Sequence, residues 1–248
     1  MTANSVPPLT RLARRLADYR NPRSLGSRLR ARRIGPLLRL IEEAFAEHGE
    51  VHLLDVGGTL RYWTIVPDEF LARHRVSITL LNLPGRIRPL AASGRFRFVE
   101  GDGCDLSAWT DQSIHVLHAN SVLEHVGDHQ RMQRFAGEIR RVAQRYFVQT
   151  PNAWFPIEPH CMTPFFHWLP HALRVRLVRQ FRLGHWRRAA SLDEARRIVD
   201  SARLLDRRTL KGLFPGAAIL DERLFGLSKS LIALGQRPDR DPQRTSPC

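Results

Sequence analysis

A pair of glycines directly after a buried strand is the feature of this sequence with the clearest chemical meaning. Residues 51–56 form an apolar run interrupted by Asp55, and Gly57 and Gly58 follow at once. Such a run is typical of a parallel strand buried on both faces. Because glycine has no Cβ, the chain can turn sharply there and a ligand can approach closely. In open α/β sheets ligands bind at the carboxyl ends of the strands, so this stretch predicts one wall of a cofactor site.

Polar residues also stand where three later strands are predicted to end. Asn82 closes the second strand, Asp102 and Gly103 follow the third, and Asn120 follows the fourth. The carboxyl ends of parallel strands meet at one edge of a sheet, so we expect these residues to lie near the glycine pair.

The pattern argues against a dinucleotide. A dinucleotide-binding loop needs glycines at its first, third and sixth positions and an acidic residue at the end of the second strand. Here Thr59 follows the adjacent Gly57 and Gly58, no further glycine opens the next helix, and the second strand ends on Asn82.

Five segments instead resemble the class I S-adenosylmethionine-dependent methyltransferases of the small-molecule and lipid type. The resemblance covers residues 51–150 well and extends more loosely to residue 235. The segments are Leu53-Leu-Asp-Val-Gly57, Leu81-Asn-Leu83, Val99-Glu-Gly-Asp-Gly-Cys-Asp-Leu106, Ile114-His-Val-Leu-His-Ala-Asn-Ser-Val-Leu-Glu-His-Val126 and Gly226-Leu-Ser-Lys-Ser-Leu-Ile-Ala233. Their order and spacing, more than any one of them, are specific.

The resemblance implies S-adenosyl-L-methionine as the cofactor. Gly57 and Gly58 would touch its methionine part, and Asp55 would hold its amino group directly or through water. Asp55 could instead cap the next helix.

The same resemblance assigns the remaining cofactor contacts. Asn82 would meet the ribose hydroxyls, Asp102 would accept from the adenine amino group beside the Gly103 or Cys104 backbone, and Asn120 would face the sulfonium. Asp102 could also be only a turn residue.

Two positions depart from the family pattern. Thr59 stands where a glycine is usual, and Asn82 replaces an acid. They keep open an alternative function, a catalytically inactive cofactor-binding regulatory or partner protein.

Methyl transfer to an oxygen or nitrogen atom requires the acceptor to lose a proton, and histidine is the usual base near neutral pH. The candidates are His125, after the fourth strand, and His160, which we favour because Glu158 precedes it in a segment expected to cover the acceptor. Glu124 and His125 could instead open a solvent-facing helix.

His160, Cys161, His167 and His171 lack a metal-site pattern, since adjacent ligands are awkward in a tetrahedron and no cysteine pair accompanies them. We therefore expect no metal.

Strands and helices alternate from residue 51 onwards. Strands are predicted at 51–56, 77–83, 95–100, 113–119 and 146–150, with helices at 61–74 and 126–144. This alternation predicts a doubly wound, mostly parallel Rossmann-like α/β sheet. Two last strands, 218–224 and 229–234, are close enough to form an antiparallel hairpin at its edge.

Three further parts complete the predicted organisation. Residues 1–50 form a helical cap, with helices at 8–20 and 28–48, beside a methyltransferase domain over 51–235. Residues 151–190, the lid, are rich in proline and aromatic residues, and helices are predicted at 171–182 and from Ser191 in a capping box with Glu194. The aromatic residues could cover an apolar acceptor or form core. The polar tail 236–248 is expected to be disordered.

The net charge of +15 comes almost entirely from arginine, since Lys211 and Lys229 are the only lysines. The excess is densest at 11–33 and 174–188 and indicates either a general arginine-rich surface or a basic patch for an anionic partner, such as a nucleic acid or an anionic membrane. A nucleic-acid methyltransferase is disfavoured, because residues 117–122 lack the Asn-Pro-Pro-aromatic signature. The acceptor is therefore expected to be a small molecule, lipid or glycolipid, and no oligomeric state is indicated.

Three unpaired cysteines, no secretory signal and no long apolar run indicate the cytoplasm.

Overall fold

The centre of the protein is a seven-stranded sheet. A computed structural model describes residues 33–86, 94–184 and 186–236. The strands of the sheet are β1 Val51–Val56, β2 Val76–Asn82, β3 Phe96–Glu100, β4 Ile114–Asn120, β5 Ala143–Pro151, β8 Ala218–Leu224 and β9 Leu227–Gln236. Two short strands, β6 Ile157–Glu158 and β7 Thr163–Pro164, form a separate antiparallel pair in the lid.

The strand order is β3-β2-β1-β4-β5-β9-β8. The first five strands are parallel, whereas β9 runs antiparallel to both β5 and β8. Phe225 and Gly226 join β8 to β9 with φ values of 51° and 81°, as a tight hairpin turn requires. The predicted fold class, a doubly wound mostly parallel sheet with an antiparallel C-terminal edge hairpin, is confirmed.

Helices cover both faces of the sheet. The helices are α1 Gly35–His48, α2 Leu60–Trp63, α3 Asp68–Arg73, α4 His129–Val142, α5 His171–Gln180, α6 Leu192–Asp200 and α7 Arg207–Leu213. Apolar residues of α1, α2 and α3 form a core on one face, and those of α4 and α7 form a core on the other. No helix in the described part of the chain has the length and apolar character needed to cross a bilayer.

The predicted helix over 61–74 is wrong in one respect, because it is two helices. Proline has no backbone N–H and restricts the residue before it, so a helix cannot run through Pro67. Helix α2 therefore ends at Trp63, and α3 begins directly after Pro67. The predicted helix over 28–48 is seen from Gly35, and the predicted helix 8–20 and the tail from 237 onwards lie outside the described residues.

The lid combines both interpretations offered for its aromatic residues. Phe166 is buried in a small core of its own with residues of α5 and α6. Trp154, Phe165 and Trp168 are 70%, 52% and 47% exposed, with adjacent rings at centroid distances of 5.2–6.4 Å. The lid is therefore held by its own packing while it presents an aromatic surface outwards.

Candidate active site

The strand register brings the predicted cofactor residues to one edge of the sheet. Val56 pairs with Leu81 on one side and with Ala119 on the other, so the residues that follow these three are neighbours. Gly57, Asn82 and Asn120 therefore stand in a row, and the loop carrying Asp102 continues it beyond β3.

Gly57 makes the turn at the end of β1. Its φ is +72°, a conformation that favours glycine. Its N–H donates to Leu81 O at 2.7 Å, and a Cβ built on it would lie 2.5 Å from Val122 Cγ2. The loops after β1 and β4 approach each other too closely there for a side chain.

Asp55 lies beneath this turn and is completely buried. Trp63 Nε1 donates to its Oδ2 at 2.8 Å, and His118 Nδ1 lies 2.7 Å from its Oδ1. It makes no side-chain cap to α2. Both carboxylate oxygens are thus engaged by side chains of the protein, and the carboxylate lies directly against the glycine turn, since a Cβ built on Gly58 would be 1.8 Å from Oδ2.

Asn82 and Asp102 are also tied to the chain around them. Asn82 Nδ2 donates to Gly58 O at 3.0 Å, and the side-chain oxygen of Asn82, Oδ1, remains as an acceptor. Asp102 accepts from the Cys104 amide at 2.9 Å and from Arg131 at 2.6 Å. Burial alone would raise the pKa of Asp102, but these two donors outweigh burial and hold the pKa below its ordinary value.

Gly103 and Asn120 determine the space and the polarity that a ligand would meet at the carboxyl edge of the sheet. A Cβ on Gly103 would meet Phe135 Cε2 at 2.7 Å and Val56 Cγ1 at 2.8 Å, so only glycine lets the backbone lie against the core there. Asn120 Oδ1 is buried and has no hydrogen-bond partner among the described residues. Such an acceptor calls for a donor or a positive charge. The turn without side chains and this acceptor fit a cofactor with amino and sulfonium groups.

The two candidate bases, His125 and His160, are brought into contact. Their Nε2 atoms lie 3.1 Å apart. His160 Nδ1 is 2.6 Å from Glu158 Oε1, and His125 Nδ1 is 2.7 Å from the carbonyl oxygen of Ser201. A carbonyl oxygen can only accept, so the proton of neutral His125 is on Nδ1 and its Nε2 carries a lone pair.

Glu124 completes the cluster, although the sequence left open whether it faces solvent or the site and did not single it out as a site residue. Its side chain is 1% exposed, with Thr150 Oγ1 donating to Oε2 at 3.0 Å. Its Oε1 has no partner in the described part of the chain. Burial raises the pKa of Glu124 to about 7. Glu124 lies in a short turn, two residues before Val126, where the local sequence gives no signal of burial. The lid that covers this side chain is distant in sequence.

The surroundings set the proton affinity of the two histidines in opposite directions. Burial lowers the pKa of His125. Burial acts the same way on His160, but the Glu158 carboxylate outweighs it and raises the pKa of that ring. Burial would raise the pKa of Glu158, and the hydrogen bonds from His160 and the Cys161 amide hold it low instead. His160 is therefore the more basic ring.

The other lid residues considered as metal ligands do not join His160. Cys161 is buried, and Thr163 donates to its carbonyl oxygen. His167 Nε2 contacts Ala153 O at 2.9 Å, and His171 Nε2 contacts Asp200 Oδ1 at 2.9 Å.

A cavity of about 520 Å³ opens beside the cluster. Its wall includes Glu158, which holds His160, and the aromatic rings of Trp154, Phe166 and Trp168. Arg174 also lines it, and its Nε is buried without a partner among the described residues. The cavity therefore combines aromatic walls with charged side chains of both signs, since Glu158, Asp200 and Asp206 line it together with Arg174.

No protein-family model matches the sequence, and no curated protein sequence matches it either. Among solved structures the chain is similar to an O-methyltransferase family protein from Burkholderia thailandensis, with 17% identity over 90% of this chain and 63% of that one and a TM-score of 0.46. It is also similar to the YcgJ protein from Bacillus subtilis, with 15% identity over 76% of this chain and 70% of that one and a TM-score of 0.46.

A third similar structure is PigF with SAH, with 13% identity, coverage of 88% of this chain and 60% of that one, and a TM-score of 0.44. The chain thus spans less than two thirds of the length of the Burkholderia protein and of PigF. At TM-scores this low, the fold class rests on the strand order and directions of the sheet itself.

Proposed function

We propose that the protein is an S-adenosylmethionine-dependent methyltransferase that modifies an oxygen or nitrogen atom of a small-molecule or lipid acceptor. The observation that carries this proposal is the row of Gly57, Asn82 and Asn120 at the carboxyl edge of the sheet. His125 lies in the turn after β4, and the cavity begins at Ala153, just after the carboxyl end of β5. The unpaired cysteines Cys104 and Cys161 support a cytoplasmic location.

The cofactor, when bound, supplies a methyl group activated by a sulfonium. Gly57 and Gly58 give its methionine part access to the backbone. Asn82 Oδ1 is the acceptor offered to ribose hydroxyls, and Asp102, beside Gly103, the acceptor offered to the adenine amino group. Asn120 Oδ1, which has no partner among the described residues, faces the positive centre. Asp55 contributes indirectly, through the turn.

His160 takes the acceptor's proton, and His125 stands beside it. Neutral His160 donates its Nδ1–H to the Glu158 carboxylate, so His160 Nε2 carries the lone pair that accepts the proton. The Glu158 carboxylate then stabilises the resulting imidazolium. His125 lies in the turn after Asn120 and His160 in the lid, and Glu158, the partner of His160, lines the cavity proposed to hold the acceptor.

The cavity favours one kind of acceptor. Aromatic walls bind flat or apolar groups, and the unpaired Arg174 Nε favours an anionic substituent. An apolar ring or lipid that carries a carboxylate or phosphate has both properties.

Calorimetric titration with S-adenosylhomocysteine and S-adenosylmethionine tests the cofactor assignment. We expect both to bind and NAD not to bind. Asp102→Ala should weaken binding about 10-fold or more, because it removes the acceptor for the adenine amino group. Asp105→Ala is the matched control, since Asp105 is exposed in the same turn and its Oδ1 accepts only from Ser107.

Absence of heat with both sulfur ligands would contradict the proposed function. Binding of both without methyl transfer to any compound in a broad acceptor pool would favour the inactive regulatory protein instead.

We also propose that the exposed part of the lid touches an anionic membrane when it takes up an apolar acceptor. Trp154, Phe165 and Trp168 are exposed close to the basic helix α5, and amphipathic rings and arginines together suit a lipid headgroup region. The protein should float with phosphatidylserine-containing vesicles and not with phosphatidylcholine alone.

The double variant Trp154→Ser/Phe165→Ser should lose this flotation. Phe225→Ser is its control, because Phe225 is 89% exposed but lies in the β8–β9 turn. Equal flotation of all three proteins, or none with the wild type, would exclude membrane contact through the lid.

A further inference from the structure

We infer that Glu124, His125 and His160 bind a divalent transition-metal ion such as Zn²⁺. Each offers one ligand atom, and the three atoms lie within 4.8 Å of one another. Two imidazoles and a carboxylate are a ligand set that first-row metals take, with positions left for water or substrate. The inference stands on this geometry and goes beyond the proposed methyl transfer.

When both rings are neutral, the histidine pair has the geometry to share a metal ion. Two neutral rings that both keep their proton on Nδ1 direct two lone pairs at each other across the 3.1 Å between the Nε2 atoms. An ion held at ~2.0–2.1 Å from each nitrogen would subtend an N–metal–N angle of about 100°, between octahedral and tetrahedral values.

Both rings are oriented as metal ligands usually are. A ligating histidine donates its other N–H to a carboxylate or a carbonyl oxygen, which fixes the tautomer. Here Glu158 serves His160 and the Ser201 carbonyl serves His125.

Glu124 is the independent observation that points to a ligand. Its Oε1 is buried without a partner among the described residues, and a buried carboxylate left in this state costs free energy. A metal ion removes that cost. Arg33, a cation whose charge acts on Glu124, is already held 3.1 Å from Glu222, with both side chains 7% exposed, so its charge is largely offset.

An ion can reach the cluster from solvent, because His125 is on the surface while Glu124 lies beneath it. Glu158, which lines the cavity, connects the cluster to the proposed acceptor site. In the metal-loaded protein His160 would be a ligand, and an acceptor hydroxyl bound to the ion would release its proton to solvent more readily.

The test uses the full chain, stripped with a chelator, and two probes. Titration with Zn²⁺ is followed by calorimetry, and titration with Co²⁺ by its visible absorption. We expect one ion per chain and Co²⁺ bands in the visible range. Glu124→Gln, His125→Ala and His160→Ala should each weaken binding about 100-fold or more, and Glu158→Gln about 10- to 100-fold.

His171→Ala is the control, because His171 is an exposed lid histidine paired with Asp200. Metal-free thermal unfolding of each variant shows whether it is folded, and Glu124→Gln preserves the shape of the side chain. No binding by the wild type, or binding that none of the three substitutions weakens, would overturn the inference. S-adenosylhomocysteine binding by the metal-free protein is measured separately, so failure of the metal site and failure of the cofactor assignment are distinguishable.

Discussion

Gly58→Ala is expected to lower the free energy of unfolding by about 3 kcal/mol and to weaken S-adenosylhomocysteine binding about 100-fold. A Cβ at this position would lie 1.8 Å from Asp55 Oδ2 and 2.1 Å from its Cγ. Asp55 cannot move aside freely, because Trp63 and His118 hold its two oxygens in a fully buried site. The turn after β1 must therefore shift, and the shift displaces the backbone proposed to contact the cofactor.

Urea denaturation and calorimetry measure the two effects. Gly137→Ala is the matched control, because Gly137 lies inside α4 and nothing is within 4 Å of a Cβ built there. That substitution should stabilise the protein by about 0.5–1 kcal/mol and leave ligand binding unchanged. A Gly58→Ala protein with wild-type stability and affinity would show that the turn is not part of a cofactor site.

The order and type of the sheet elements could be predicted because each depends on residues within its own segment of the sequence. The largely apolar run of β1 and the turn residues after each strand define parallel strands without any distant contact. The predicted hairpin 218–224/229–234 corresponds to β8 and the longer β9. Helix α7, Arg207–Leu213, was not predicted, since seven residues hold too few repeats of an apolar pattern and its stability comes from packing against α4.

The side-chain pairs of the site also divide into those between residues close in sequence, which could be predicted, and those between distant residues, which could not. Glu158 and His160 are two residues apart, and the sequence singled them out as neighbours, which the structure brings into contact. The partners of Asp55 come from positions 63 and 118, and Glu124 is buried by elements as distant as Thr150 and the lid. Such contacts depend on how the sheet brings strands together. A carboxylate at the end of a strand therefore gives no indication of whether it faces a ligand or the core.

Asp55→Ala is expected to lower the free energy of unfolding by about 3–5 kcal/mol, because two buried groups lose the acceptor they share. The substitution leaves Trp63 Nε1 and His118 Nδ1 buried without their shared acceptor. His118 Nε2 already lacks a partner among the described residues, so the ring would lose its remaining polar contact there. Urea denaturation measures the loss, and Asp105→Ala, at an exposed turn, should cost far less.

The double variant Asp55→Ala/Gly58→Ala separates the steric account from a general weakening of the loop. Gly58 does not have the positive φ of Gly57, so alanine is unfavourable there because of the Asp55 carboxylate and not because of the backbone. With that carboxylate removed, Gly58→Ala should cost little more, and the double variant should be about 1–3 kcal/mol more stable than the sum of the single losses predicts. Asp55→Ala combined with Gly137→Ala should be additive, since the two positions share no contact. If the losses of unfolding free energy in Asp55→Ala/Gly58→Ala were additive, Gly58 would be required by a contact other than Asp55. That contact would then have to lie on the solvent side of the turn.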